Sequence, residues 1–461
     1  MSLQKRIENA TSVDHLLDWV QPDRTEFHDR PCEVSKVPPE IVSEIFCHCL
    51  PPRNLIKPLP GETPLLLGQI SRRWRTIALS TPTLWTAICL IDPHSEGICS
   101  LLEVWLSRAR GGPLSINLQW VEHDSWDTMS AVCGVIGPFA SQLETLWLSM
   151  VYPKFVRLPF LRGQLPSLKQ LNLNVTPFAG SGDLQDMTVF AEAPLLDTVI
   201  LQQDLIIPLP WTQLKHLSLL NMDWDVCLRR MQRAVNLTNC NLVPPMEPAP
   251  TRPPSTHLIS LVSLHLLSEL ENGVALSALT LPALRDLTVK IRADDIQDFL
   301  QFLTRNSTRL RLLRLTTDLD EGFVHECLHH ESVASVEELE FTFDNAFPTS
   351  SVFRLLHNPE FLPYLRCLSI REWGMHSPPT PNYAALLLDV LYVGAASRPH
   401  FKTFSLETKH ELPIPDAVKL QGLLDQGMSI TIEAIEGIDD EARRGMWTLA
   451  ELEDLQFEDQ M

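Results

Sequence analysis

The chain has 461 residues, with 57 acidic and 37 basic side chains, a formal net charge of −20 at pH 7 and an apolar content of 44%. That length suits two or three domains or one extended array. The acidic balance argues against a general binder of nucleic acid or anionic membranes. No run of 18 apolar residues occurs, so no transmembrane helix is expected. The opening MSLQKRIENATSVDHLL lacks the uninterrupted apolar core of a signal peptide. Ten scattered cysteines in so long a chain are expected to be reduced and mostly buried, as in a cytoplasmic or nuclear protein.

Residues 1–34 form a leading segment without a strong pattern, and residues 35–92 read as a small helical domain. Pro38 and Pro39 suit a helix N-terminus, where a missing N–H costs nothing. Ile41, Val42, Ile45, Phe46, Cys49 and Leu50 then recur at helical spacing, and Pro51 and Pro52 end the helix. Pro64 opens the next stripe, formed by Leu66, Leu67, Ile70, Trp74 and Ile77, with Arg72, Arg73 and Arg75 on the other side. Ser80 or Thr81 caps a last turn that carries Leu84 and Trp85. Three helices in so few residues cannot bury all these apolar groups among themselves. Some must pack on the rest of the chain or on a partner.

The pieces PPEIVSEIF, LGQISRRWRTIALSTPTLW and WLSRARGGPLSINL resemble the F-box-like proteins common in basidiomycete fungi. The F-box is a three-helix module that docks onto a Skp-family adaptor of a cullin–RING ubiquitin ligase. Carried over, the resemblance implies adaptor contacts at Pro38, Ile41, Ile45, Leu66, Leu67 and Ile70, with Trp74 and Trp85 holding the module together. Val37 stands where the family usually has leucine, and the loop from Pro51 to Pro64 is longer than in compact F-boxes. The alternative is a helical cap on the following repeats that binds no adaptor.

Residues 93–438 repeat an element of the form LxxLxL. Copies are LETLWL (from Leu143), LKQLNL (Leu168), LDTVIL (Leu196), LKHLSL (Leu214), LVSLHL (Leu261) and LRDLTV (Leu284). LRLLRL (Leu310), VEELEF (Val336), LRCLSI (Leu365) and FKTFSL (Phe401) continue the series. Weaker copies are QRAVNL (Gln232 to Leu237) and MSITI (Met428 to Ile432). Such spacing signals leucine-rich repeats. The last three residues of a copy alternate in, out, in, and the outward one is polar at positions such as Asn172, Ser218, Asn236, His265, Thr288, Arg314 and Glu340. Trp147 and Ile200 break the pattern. That alternation marks a strand with one buried face. The predicted fold class is therefore α/β: a small N-terminal three-helix domain and an irregular leucine-rich-repeat solenoid with a curved parallel sheet. Segments 296–303 and 383–393 read as helices between strands.

The proline-rich stretch 244–254, PPMEPAPTRPP, reads as an insertion, GSGD at 180–183 as a flexible turn and SPPTP at 377–381 as a break. Residues 439–461, acidic with Trp447, Leu449, Leu452, Leu455 and Phe457, are expected to cap the last strand or to trail as a tail.

Motifs that carry chemistry are missing: no Walker loop, no GxGxxG and no GxSxG. HECLHH at 325–330 sets His325 and His329 four residues apart near Cys327 and His330, but no second ligand pair with finger-like spacing follows. It reads as a polar helix turn, and Cys47 and Cys49 read as packing groups. No metal, cofactor or catalytic residue is assigned, and the chain is expected not to be an enzyme. Trp224 and Trp373 follow strand units and are candidates for a strand exit near a binding surface.

The expected function is that of a substrate receptor, its helical domain on the adaptor and its repeats on a target protein. A ligase-independent interaction scaffold is the alternative. Candidate target-binding residues are Lys290, Arg311, Arg314 and Arg371, with Glu337, Glu338 and Glu340 between them. On adjacent strands these charges either pair across neighbours or form a mixed-charge recognition face.

Overall fold

The computed structural model describes residues 37–93, 97–120, 126–151, 155, 165–176, 188–244, 255–267, 272–306, 309–317, 321–343, 355, 358, 360–372, 391–396, 398–408 and 422–434. The leading segment 1–34, the GSGD and SPPTP segments, Trp373 and the acidic end from 439 lie outside the described residues, as does the proline-rich insertion apart from Pro244. Of the helix expected over 383–393, residues 391–393 are described, inside a helical run over 391–396.

The described residues open with three helices: α1 (Pro39–His48), α2 (Leu67–Ile70) and α3 (Arg72–Ser80). Pro39 opens α1 where no intrahelical N–H is needed. Ser71 caps α3, its hydroxyl accepting the Trp74 backbone N–H at 3.1 Å. A turn of 3₁₀-helix, Pro82–Trp85, leads into β1 (Ala87–Ile91). Then come α4 (Ile98–Arg108), β2 (Leu114–Trp120), α5 (Trp126–Ile136), β3 (Leu143–Val151), β4 (Gln170–Thr176), β5 (Thr198–Leu201) and β6 (His216–Leu220). Next are α6 (Trp224–Arg233), β7 (Asn239–Val243), β8 (Thr256–His257), β9 (Ser263–Leu266), α7 (Asn272–Ala278), β10 (Leu279–Thr280) and β11 (Asp286–Ile291). The series ends with α8 (Ile296–Asn306), β12 (Leu312–Thr317), α9 (Glu321–Leu328), β13 (Glu338–Phe343), β14 (Cys367–Glu372), β15 (Thr403–Thr408) and β16 (Ser429–Ala434).

Among the described residues fourteen strands form one sheet in chain order, and every neighbouring pair is parallel. The exceptions to that order are β8 and β10, which pair with each other in a separate two-stranded ribbon. Parallel neighbours need long crossovers, which the repeat length supplies. The four central copies, from Leu284, Leu310, Val336 and Leu365, lie side by side as β11 to β14. Each copy enters its strand at the third motif position, so the fourth positions Leu287, Leu313, Leu339 and Leu368 stand opposite one another and face the core.

The strand entries repeat one hydrogen-bond device. The second motif residue offers its carbonyl to two consecutive N–H groups of the next strand. Arg285 O, for example, accepts from Arg311 N at 2.7 Å and Leu312 N at 3.1 Å. The same bifurcation recurs at nine consecutive junctions from β4 to β15, which fixes the register and lines up the second motif residues in one row. One contiguous apolar core runs from Val42 to Met428. Arginines between the strands, Arg398 buried and Arg305 exposed, stitch neighbouring repeats. Arg398 donates to the carbonyls of Asn358, Phe361 and Leu362, and Arg305 to those of Leu276 and Leu279.

Four sequence expectations need correction. QRAVNL is not a strand copy. Its first residues end α6, whose Trp224, Cys227, Leu228 and Met231 are buried at helical spacing, and the strand comes from LTNCNL, starting at Leu237. Asn241, not Asn236, is therefore the outward residue, and Asn236 sits in the preceding turn, donating to Thr212 O at 2.6 Å. Trp224 does follow β6, at the start of α6, but it is buried and so presents no binding surface. The sheet also starts earlier than the first motif copy, with β1, whose AICLI is apolar throughout, and β2, whose LSINL alternates, neither of them preceded by the leading leucine of the motif. Finally, the outward residues Asn172, Ser218, His265 and Thr288 are on the face opposite the core yet are themselves buried.

Candidate functional site

Two surfaces emerge: an apolar face on α1 and α2, and a charge network on β11 to β15. Helix α1 is apolar on two sides. Val42 and Phe46 point inward, and the Phe46 ring lies 4.9 Å from that of half-buried Trp74 on α3. Ile41 and Ile45, one helical turn apart, are 53% and 50% exposed. On α2 and the residue before it, Leu66 and Ile70 are 40% and 55% exposed, and Pro38 is exposed at the start of α1.

Leu67 departs from its expected role. It is 4% exposed and belongs to the core, so it is not available to a partner. A helix of four residues cannot bury two consecutive leucines on one side, and Leu66 is the one left outside. The sequence also missed Leu55 and Leu59, exposed apolar groups in the long loop, where prolines erase any period.

Several contacts hold the helices in place. The Arg73 guanidinium donates to the Val37 carbonyl, and the Thr63 hydroxyl donates to Cys49 O at 3.1 Å. Buried Trp85 donates its indole N–H to Ala78 O at 2.9 Å. Its ring meets Trp105 of α4 edge-on at 4.8 Å, and the Arg108 guanidinium lies 4.5 Å above it. Trp85 thus joins the helices to the sheet. The loop before α2 does so too, since Ile56 O accepts Cys89 N–H of β1 at 2.6 Å.

On β11 to β15 the register brings the expected charges together. Arg314 stands opposite Glu340 and bonds it through Nε at 3.1 Å. Glu340 also takes Arg371 Nη1 at 2.8 Å, and Arg371 reaches Glu407 at 3.3 Å. Nearer the strand entries, Arg311 forks onto Asp286 at 3.2 and 3.1 Å and meets Glu338 at 3.1 Å. Glu337 pairs with Arg366 at 3.2 Å. Lys290 lies half-buried at the β11 exit, its carbonyl accepting from Asn272 Nδ2 at 2.6 Å. Asp286, Arg366 and Glu407 were not foreseen. They stand in the same alternating rows as the expected residues, which is the signal that could have found them.

His265 lies in the same row as Arg314, two strands away, and is buried. Burial, aided by the Arg314 charge, pushes its pKa down from 6.5 to about 4. Its Nε2 shares a 3.0 Å hydrogen bond with the Ser263 hydroxyl.

His325 and His329 of the HECLHH run stack at 4.1 Å, and His329 Nδ1 is bonded to His325 O at 2.8 Å. His330 meets the Thr304 hydroxyl at 3.1 Å, and burial drives the Cys327 thiol up to about 12. Among the described residues no group of three or more side chains could hold a metal ion, and no helix is long and apolar enough to cross a membrane. Compared with known proteins, the chain matches no family model and no curated sequence.

Proposed function

We propose that the chain is the substrate-recognition subunit of a Skp–cullin–F-box ubiquitin ligase: α1 and α2 dock on a Skp-family adaptor and the repeat sheet holds the target protein. The observation that carries this reading is the exposure of Ile41, Ile45, Leu66 and Ile70 on the two elements that the F-box resemblance assigns to the adaptor. Four large apolar side chains left in water on one small helical unit favour a protein partner. Catalysis then belongs to other subunits, and this chain contributes proximity and orientation.

The second reading, a repeat scaffold whose helices only cap the sheet, draws on the Ile56–Cys89 hydrogen bond and the continuous core. Capture from lysate with the full chain and with Ile45→Asp/Ile70→Asp separates the two. The ligase reading expects adaptor and cullin to be lost from the variant while target proteins persist. The scaffold reading expects the same proteins with both. Deleting residues 37–85 is the wrong control, because it would strip the edge of β1 and remove Trp85.

A further inference from the structure

We infer that the strand-entry rim of β11 to β15 binds an acidic peptide segment of the target protein. This rests on the reading that the repeats hold a protein, and it names the chemistry of that contact. The shared carbonyl device sets the second motif residues in one row, which along these five strands is Arg285, Arg311, Glu337, Arg366 and Lys402. All but half-buried Glu337 are exposed. One step outward, Arg309 and His400 are exposed as well, with Tyr364 59% exposed between them.

The single acid of the row, Glu337, is held by Arg366 at 3.2 Å, and Arg311 is engaged by Asp286 and Glu338. Arg285, Arg309 and Lys402 make no ion pair among the described residues. A chain with a net charge of −20 thus presents three exposed cations without an ion pair among the described residues, Arg285, Arg309 and Lys402, at the strand entries beside the paired Arg311 and Arg366. Such a group attracts an acidic partner and orients it on approach. With strands about 4.8 Å apart, Arg285 to Lys402 spans roughly 19 Å, the reach of about six extended residues.

The test is fluorescence anisotropy of the full chain with a fluorescein-labelled peptide of ten glutamates. The expected result is binding that weakens about tenfold between 50 and 300 mM salt. Arg285→Glu/Arg309→Glu/Lys402→Glu should weaken it at least tenfold. Arg53→Glu/Arg72→Glu/Arg110→Glu, with the same change in net charge at exposed sites off the rim, should leave it within about twofold. No binding by the unaltered chain, or equal loss in both triple variants, overturns the proposal. Binding that appears only after removal of residues 439–461 also overturns it, since it would assign the rim to the chain's own acidic end. Adaptor titration reads a different surface, so failure of either inference is recognised separately.

Discussion

Leu67 and Ile70 are three residues apart on one short helix, and their energetic roles are opposite. Leu67 is enclosed by the core, so Leu67→Ala should cost about 2–5 kcal/mol in a denaturant titration. Ile70 is exposed, and Ile70→Ala should cost less than about 0.5 kcal/mol. Equal losses would mean that the two faces of α2 are wrongly assigned. The sequence placed both in one apolar stripe because four residues are too few to fix the phase of a helix. The apolar excess on α1 was legible, since Ile41 and Ile45 form a second stripe beside Val42 and Phe46. His265 gives a further residue-scale expectation. Its pKa is about 4 when folded against an ordinary 6.5, so between those values the unfolded chain binds the proton more readily. Its contribution is intact above pH 6.5 and is lost as the pH falls toward 4, by about 3 kcal/mol in all. Replacing it, as in His265→Gln, should flatten the fall in stability over that window. An unchanged pH slope would contradict a neutral, buried imidazole.

At the scale of elements, the charges between β11 and β15 behave as a linked set. Glu340 serves both Arg314 and Arg371, whereas Arg314 has one ion-pair partner among the described residues. Glu340→Ala should therefore cost about 1–2 kcal/mol and more than Arg314→Ala, because it removes the shared acceptor. Denaturant titrations giving negligible and equal losses would count against the pairing. Exchanging the two charges is not a neutral control, since it would set an arginine at 340 against Arg371. The strands themselves were legible wherever a copy keeps leucines at both ends. The copy at Gln232–Leu237 misled because Ala234 and Val235, just after α6, imitate the middle of a motif, whereas Leu237 opens the copy whose strand is β7. The burial of Asn172, Ser218 and Thr288 was not legible, because alternation reports which face a residue takes and says nothing about how closely its neighbours enclose it.

For the whole molecule, the parallel order of the fourteen-stranded sheet follows from repeats too long for hairpins, and from β4 to β15 the shared carbonyls keep one register and the same rows of side chains. The N-terminal helices are continuous with this array through Trp85 and the Ile56–Cys89 bond, yet keep Ile41, Ile45, Leu66 and Ile70 among their apolar groups in solvent. A cap needs only the first property, and a docking module needs both. The most direct measurement is isothermal titration calorimetry of the full chain with a purified Skp-family adaptor. The docking account predicts a saturable complex with a Kd of about a micromolar or tighter, abolished by Ile45→Asp/Ile70→Asp with the melting temperature unchanged. No complex with the unaltered chain, or an affinity that the double substitution leaves unaltered, would contradict it.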